Sequence, residues 1–394
     1  AMKLFTETRI RVYARLIAFT LALLYIVLMW MSYRSFQATG APVPAHDFLV
    51  FYGAGLTAQA GDPAQVYNVE ALLGAIRERF SLVKGTSGWF YPPYSIPPFQ
   101  LLSELPYFTA YLTWIGVTGV FFFMSLRPLI HSRAEFWAIA ASPAIWWNIV
   151  SGQNAFLVCG LLAIFYRSFR DSQVRAGLVL GLMAIKPHLG LLIPVFLLLY
   201  RRFQALLIAV LTFLVLVAVS LYFYGLGPWG AFFGDNLEGL QGYLASGELS
   251  WSQMASPYIT SLSFGLTDWL ARFIQFTFCA LTLLLVVSFV RGNVPFPMVF
   301  AFAIVAAVPF SPHNFLYDWV LFALPVLILL RTFTAAALRP LEWTVIGAVY
   351  LAPIGLLMIP QEAKVSPGFL PVAALYLVFA LRCHQLAGQN TRTG

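Results

Sequence analysis

The sequence predicts an all-α polytopic membrane protein, a bundle of about twelve transmembrane or half-membrane helices with a structured first outer loop. Of its 394 residues, 60% are hydrophobic and only 10% are charged, whereas charged residues make up about a quarter of a soluble globular chain. The mean hydropathy of +0.82 agrees with this class. Residues 1–394 are therefore expected to form a single integral membrane domain.

The apolar runs give the order of the elements. Residues 14–33 can cross a bilayer and lack a small-residue cleavage site before Arg34, which predicts a retained anchor. The further segments are predicted near 106–126, 134–149, 154–169, 175–186, 188–200, 203–224, 266–290, 295–310, 315–331, 341–359 and 367–382.

Two of these segments, 175–186 and 188–200, are too short for a straight crossing, which needs roughly 20 residues. Because arginine clusters flank the pair at both ends, we predict that it rises to mid-membrane and returns. The turn is Lys186-Pro187-His188. Two more polar turns, Asn148 to Asn154 and Ser311 to Asn314, are expected on the same side.

The formal charge of +8 indicates topology and not nucleic-acid binding, because short cytoplasmic loops collect Lys and Arg. With a cytoplasmic N-terminus, the arginine clusters between the predicted spans all fall on the cytoplasmic side. We expect a multi-pass protein of the bacterial cytoplasmic membrane, with a cytoplasmic C-terminus and with the long loops outside.

The first outer loop, residues 34–105, is too long to be a simple connector. Asp62-Pro63 predicts a helix start, and apolar residues from Val66 to Phe80 at helical spacing predict a helix in the membrane interface. That helix either covers the bundle or guides a lipid substrate. The aromatic residues from Trp89 to Tyr94, interrupted by prolines, predict either an aromatic belt or a sugar-stacking surface.

The second outer loop, residues 225–265, is interpreted as loop and short helix without specific chemistry, and Asp235 with Glu238 as solvated loop acids. The three cysteines show no paired spacing, and no His, Asp and Glu cluster has the spacing of a metal site. We predict no metal and no cofactor.

Several motifs together resemble polyprenyl-phosphate-sugar-dependent glycosyltransferases of the GT-C superfamily, in particular mannosyltransferase family 87, which includes phosphatidylinositol mannoside mannosyltransferases. The matching segments are Asp47-Phe48 with Phe51-Tyr52 and Ala54, Gly61-Asp62-Pro63 with Tyr67, Phe90-Tyr91-Pro92-Pro93, Gly152-Gln153-Asn154, Ala176-Gly177 with Gly181 and Lys186-Pro187, and Ser311-Pro312-His313. The segment from Asn314 to Asp318 departs from the family pattern. The fold implied is a GT-C type bundle.

The resemblance implies transfer of a hexose, with mannose favoured, from a polyprenyl monophosphate to a lipid or glycan hydroxyl, with inversion and without nucleotide or metal. An acceptor hydroxyl needs a general base, and the resemblance places Asp47 in that role with His46 orienting it. A helix cap or a loop hydrogen bond is the alternative for Asp47. We expect a monomer whose partners are the lipid-linked donor, the acceptor and membrane lipids.

The lipid phosphate that leaves needs a fixed cation where water is scarce. Lys186 suits this role, with snorkelling to the interface as its alternative. His188 and His313 are further candidates for the phosphate, or hydrogen-bonded structural residues. The predicted sugar or acceptor contacts are Tyr52, Tyr91, Gln153, Asn154 and Asn314, with capping of turns as the alternative for the three amides, and Asp318, which can pair with a cation.

Two other functions fit a membrane chain with polar turns. A transporter or lipid flippase also uses broken helices and mid-membrane charges, but this chain shows no repeated halves and has a large outer loop. A non-catalytic membrane subunit would show no shared site beneath that loop.

Overall fold

The computed structural model describes residues 7–40, 46–234, 250–312, 314–333 and 337–393. Within these ranges the regular elements are all helices, which confirms the all-α prediction. His313, Asp235 and Glu238 lie outside the described residues, as do the side chains of His46, Gln361 and residues 390–393.

Six helices among the described residues are long and apolar enough to cross a membrane, by length and composition. They are Glu7–Thr39, Tyr107–Leu129, Phe203–Tyr224, Asp268–Arg291, Pro340–Leu357 and Phe369–Gln389. The chain is therefore a multi-pass membrane protein.

The α-helices are named here in chain order. They are α1 Glu7–Thr39, α2 His46–Gln59, α3 Val69–Arg79, α4 Ile96–Leu102, α5 Tyr107–Leu126, α6 Arg133–Ala140, α7 Pro143–Ser151, α8 Ala155–Asp171, α9 Gln173–Leu182, α10 Pro187–Gly190, α11 Leu192–Leu199, α12 Phe203–Tyr224, α13 Gly227–Phe233, α14 Pro257–Ser263, α15 Asp268–Arg291, α16 Phe296–Phe310, α17 Ala323–Thr332, α18 Pro340–Leu357 and α19 Phe369–Thr393. Short 3₁₀ helices lie at Pro63–Tyr67, Pro93–Ser95, Arg127–Leu129, Met183–Ile185, Trp251–Gln253, Leu316–Phe322 and Gln361–Ala363.

The prediction of one helix over 134–149 is wrong. The chain forms α6 and then α7, with a break at Ser142 and Pro143. Proline lacks a backbone N–H and is tolerated at the first position of a helix, where that donor has no partner. Pro143 therefore starts a new helix.

The chain from α9 to α11 forms a re-entrant hairpin. Helix α9 starts directly after α8, and near the end of α8 the Phe169 ring lies 5.3 Å from the Tyr200 ring that follows α11. Both ends of the hairpin therefore lie together, and its tip at Lys186 lies at the far end. Each arm of about 13 residues is about 20 Å long at 1.5 Å per residue, shorter than the roughly 30 Å of the hydrocarbon core.

The first long loop is structured, but its helix is divided. Asp62 Oδ1 accepts a hydrogen bond from the backbone N–H of Ala64 (3.0 Å) and starts a 3₁₀ helix. Asn68 then caps α3, whose buried Leu72 and Ile76 pack on α2 at Gly53. Helix α3 therefore covers the bundle, the simpler of its two interpretations.

Two apolar cores meet at the turn between α7 and α8. One core lies around α8, α16 and residues 316–322, and the other joins α2 to α5 with the first loop. Ile149 and Leu157 pack against both cores. The polar turn at residues 148–154 thus lies at the boundary of the two cores.

Helices α9 and α12 touch through glycines. A Cβ at Gly177 would lie 2.4 Å from the Ala205 carbonyl oxygen, and one at Gly181 would lie 2.4 Å from Thr212 Cβ. Small residues four apart allow this close approach between membrane helices. This contact fixes one arm of the hairpin against α12.

We expect Gly181→Leu to destabilise the protein, because the added side chain overlaps α12. Overpacking typically costs about 1–3 kcal/mol, and backbone contact places this site at the upper end. The measurement is thermal unfolding of the detergent-solubilised protein. Gly116→Leu is the matched control, since nothing lies within 4 Å of a Cβ there, and equal unfolding temperatures for the two variants would contradict the prediction.

Candidate active site

Asp47 lies in the first turn of α2, where the helix dipole favours a negative charge. Its Oδ2 accepts a hydrogen bond of 3.0 Å from Gln153 Nε2. Two segments that are 106 residues apart in sequence therefore meet at this carboxylate. The helix end and the amide both stabilise its ionised form.

The Gln153 amide is held in one orientation. Its Oε1 accepts hydrogen bonds from the Tyr91 hydroxyl (3.2 Å) and from the Asn154 backbone N–H (3.3 Å). Since both donors bind the oxygen, the NH₂ group faces Asp47. Gln153 thus acts as a positioning residue for the carboxylate.

The turn that presents Gln153 requires glycine at position 152. Gly152 has a φ of +73° and ends α7 in the left-handed conformation, in which the backbone N–H groups of Gly152 and Gln153 both donate to the Asn148 carbonyl. A Cβ at Gly152 would lie 2.5 Å from Phe48 Cβ. The turn therefore packs directly on the residue after Asp47.

A second charged group lies at the hairpin tip. Lys186 Nζ contacts Asp318 Oδ1 at 2.5 Å, with relative exposures of 4% and 0%. The same Nζ lies 4.8 Å from the centre of the Tyr317 ring, and Asp318 Oδ2 accepts a hydrogen bond from the Phe315 N–H (3.3 Å). The lysine is buried and does not snorkel, and the acid predicted to pair with a cation pairs with it.

Tyr91 connects the two charged groups. Burial raises the pKa of its phenol well above the ordinary value, and the nearby carboxylates of Asp318 and Asp47 raise it further. Both acids are therefore within electrostatic reach of one neutral hydroxyl. Tyr67 holds this segment by donating to the Tyr91 carbonyl at 2.8 Å. Asp47 and the Lys186–Asp318 pair thus belong to one site.

Asn154 has a side-chain acceptor available for a ligand. The residue is buried, and its Oδ1 has no hydrogen-bond partner in the described part of the chain. It does not cap α8, because Asn148 Oδ1 instead accepts from the Ala155 N–H at 3.2 Å. An unpaired buried polar atom is uncommon and calls for a partner. A sugar hydroxyl would supply the missing donor.

Two predicted contacts lie apart from this cluster. Asn314 Oδ1 accepts from the Ala255 N–H (3.0 Å) while its Nδ2 donates to the Ser311 carbonyl (2.9 Å), so it ties two loops together. The Tyr52 hydroxyl donates to the Leu105 carbonyl (2.8 Å) within an aromatic core. Their observed bonds are structural.

The predicted histidines flank the cluster in the sequence. His188 is half-buried in α10, two residues beyond Lys186. His46 begins α2 beside Asp47, and His313 lies outside the described residues. The described residues include no group of three or more His, Cys, Asp or Glu side chains that could hold a metal ion.

The sequence interpretation missed two tyrosines. Tyr94 donates to the Ala184 carbonyl at 2.8 Å and so joins the first loop to the hairpin tip, while Tyr317 lies against the Lys186 ammonium. Tyr94 lies at the end of an aromatic segment in which every ring is equally plausible as packing. Tyr317 carries no signal other than being next to Asp318.

The helical membrane bundle with its buried polar site is that of a membrane glycosyltransferase, as the sequence comparison shows. The profile of glycosyltransferase family 87 matches residues 89–312, more than half of the chain. The chain belongs to glycosyltransferase family 87, a GT-C type family that includes mannosyltransferases. No curated protein and no solved structure matches it.

The matched range includes Tyr91, Gln153 and Lys186, whereas Asp47 and Asp318 lie outside it. Membership of this family favours the enzyme over the transporter, the flippase and the non-catalytic subunit.

We expect Gln153→Ala to lower sugar transfer about 10- to 100-fold, because a hydrogen bond to a charged group contributes about 1.5–3 kcal/mol. The measurement is the pH profile of transfer in membranes. Without the amide donor, the pKa of Asp47 rises and the acid limb of the profile moves to higher pH. Gln65→Ala is the control, since Gln65 donates to the exposed Asp62 at 3.1 Å, and an unchanged acid limb would contradict the positioning role.

We expect Asp318→Asn to destabilise the protein by about 3–5 kcal/mol, because it leaves the Lys186 charge buried without its partner. Replacing both residues, as Lys186→Met with Asp318→Leu, should restore much of the unfolding temperature but not sugar transfer. Asp268→Asn, in the exposed Asp268–Arg272 pair, serves as the control with little effect. Full transfer by the double variant would exclude a role for Lys186 beyond stability.

Proposed function

We propose that this protein transfers a hexose, with mannose favoured, from a polyprenyl monophosphate to a hydroxyl of a lipid or glycan acceptor, with inversion. The reaction takes place at the outer face of the cytoplasmic membrane. One observation carries the proposal: the Asp47 carboxylate is oriented by Gln153 and shares Tyr91 with the buried Lys186–Asp318 pair. Neither a metal nor a nucleotide is assigned a role.

Asp47 acts as the general base. The acceptor hydroxyl is a weak nucleophile until its proton is removed. As the acceptor oxygen bonds to the anomeric carbon, the bond from that carbon to the phosphate oxygen breaks, and the proton passes to Asp47. The helix end and Gln153 keep the carboxylate ionised before the transfer.

Lys186 stabilises the departing phosphate. Its ammonium carries three donors, of which the contact with Asp318 occupies one. In a site with little water, a fixed cation stabilises developing negative charge far more than it would in bulk solvent. His188 and His313 are proposed as further contacts to the same phosphate.

Asn154 is proposed to bind a hydroxyl of the transferred sugar through Oδ1, which would satisfy that buried atom. Tyr91 and Gln153 line the path between this amide and Asp47, and their hydrogen bonds support a positioning role. The sugar would then lie between the base and the cation, as an inverting displacement requires.

We expect Asp47→Asn and Asp47→Ala to reduce transfer by about 10²–10⁴-fold, because both remove the base. The assay follows labelled sugar from a panel of polyprenyl-phosphate sugars, including mannose, into lipid extracts in membranes with matched expression. Glu70→Gln is the control, an exposed acid at the start of α3. Unaffected transfer by the Asp47 variants would exclude the base, and no transfer by the wild type from any donor would exclude the function.

A further inference from the structure

We propose that an apolar groove between the re-entrant hairpin and α12 holds the prenyl chain of the donor, with the phosphate end of that chain at the hairpin tip. This inference rests on the proposed function, and it adds a binding surface outside the polar cluster. The chemical class of the occupant is a single prenyl chain on a phosphate.

The groove encloses about 640 Å³ of space, part of it open to the surroundings. Its walls include Met183, Ala184, Pro187 and Gly190 of the hairpin and Ala209 and Phe213 of α12. All the lining residues are Gly, Ala, Pro, Val, Leu, Met or Phe. A surface of this kind favours hydrocarbon and offers nothing to a water-soluble ligand.

The sequence explains why the groove exists. Glycines hold α9 against α12 at Gly181, and the helix then breaks between Met183 and Pro187, so that the second arm runs back at a distance from α12. Small residues along the cleft, such as Gly190 and Ala209, leave the space unfilled.

The groove opens to the lipid phase. The apolar stretch of α12 is only 11% buried, and Leu191 and Val210 at the groove are 54% and 47% exposed. In a membrane helix, apolar residues with this exposure face hydrocarbon. A chain can therefore enter sideways from the bilayer without passing through water.

The inner end of the groove reaches the polar site. Ala184 and Pro187 line the groove and flank Lys186 in sequence. Tyr94 closes this end, because its hydroxyl donates to the Ala184 carbonyl and its ring lies 6.0 Å from Phe213. An apolar groove that ends at a buried ammonium complements a ligand with one apolar chain and one anionic head. A prenyl phosphate has this form, whereas a phospholipid brings two chains.

The test fills the groove and compares two donors. Gly190→Leu places a side chain in the cleft, where the nearest atom to a Cβ is the flexible Met183 Cε at 3.3 Å. We expect KM for a long-chain prenyl-phosphate sugar to rise roughly 10-fold or more, by the scale of hydrophobic discrimination, with kcat unchanged. Transfer from a short analogue of two isoprene units should be unaffected. Gly116→Leu is the matched control, and an equal effect on both donors, or none, overturns the groove.

A second measurement does not depend on the variant folding. A prenyl phosphate with a photoreactive terminal group should label Met183 or Leu191 in the wild-type protein, and unlabelled prenyl phosphate should compete while phosphatidylglycerol does not. Equal competition by the phospholipid would identify an ordinary lipid site and overturn the inference. Normal transfer without labelling overturns the groove alone, whereas specific labelling without transfer from any donor sugar overturns the proposed function and leaves the groove as a prenyl-phosphate site.

Discussion

The buried ion pair of Lys186 and Asp318 is the interaction on which the rest of the site depends. It joins the hairpin tip to residues 316–322, segments that are 132 residues apart in sequence. A charge in an apolar interior costs several kcal/mol unless its partner is in place, so the two broken helices must stay aligned. Residues 316–322 also pack against α7, whose final turn presents Gln153 to Asp47. The position of the cation and the orientation of the carboxylate are therefore set by one framework.

The irregular backbone of the site is a condition of its chemistry. The chain leaves helical geometry at Gly152, at Lys186 and at Ser311, and it exposes polar groups at each place. Such breaks are tolerated at membrane depth only where protein buries them or where they line a polar cavity. Here the first long loop supplies the cover, because Tyr91 reaches the first break and Tyr94 the second. That loop is thus part of the site and more than a lid over it.

Much of this arrangement could be predicted from sequence because hydropathy is a local signal. The apolar runs located the helices, and the arginine clusters at its two ends revealed the hairpin. Helix α2 was not predicted, since its short apolar stretch lies inside a loop motif, and the break at Pro143 was overlooked in a continuous apolar run. The role of Gln153 depends on which way its amide points, which Tyr91 decides from 62 residues away. Asn314 shows the same limit, because its two hydrogen bonds match a structural tie as well as a sugar contact.

The two walls of the site come from different parts of the fold, and this separation suits a transfer between two lipids. Asp47 is presented by the first loop and α2, which pack in their own core with α4 and α5. Lys186 is presented by the hairpin, whose other face forms the apolar groove beside α12. An acceptor that approaches Asp47 and a donor chain in the groove would therefore occupy different surfaces and meet only at the Tyr91 hydroxyl. Because Asp318 already neutralises Lys186 before any donor binds, the phosphate must compete for an ammonium that is shared. Binding is then weaker than for an unpaired cation, and the interaction is strongest when charge develops on the leaving oxygen, which is where stabilisation accelerates the reaction.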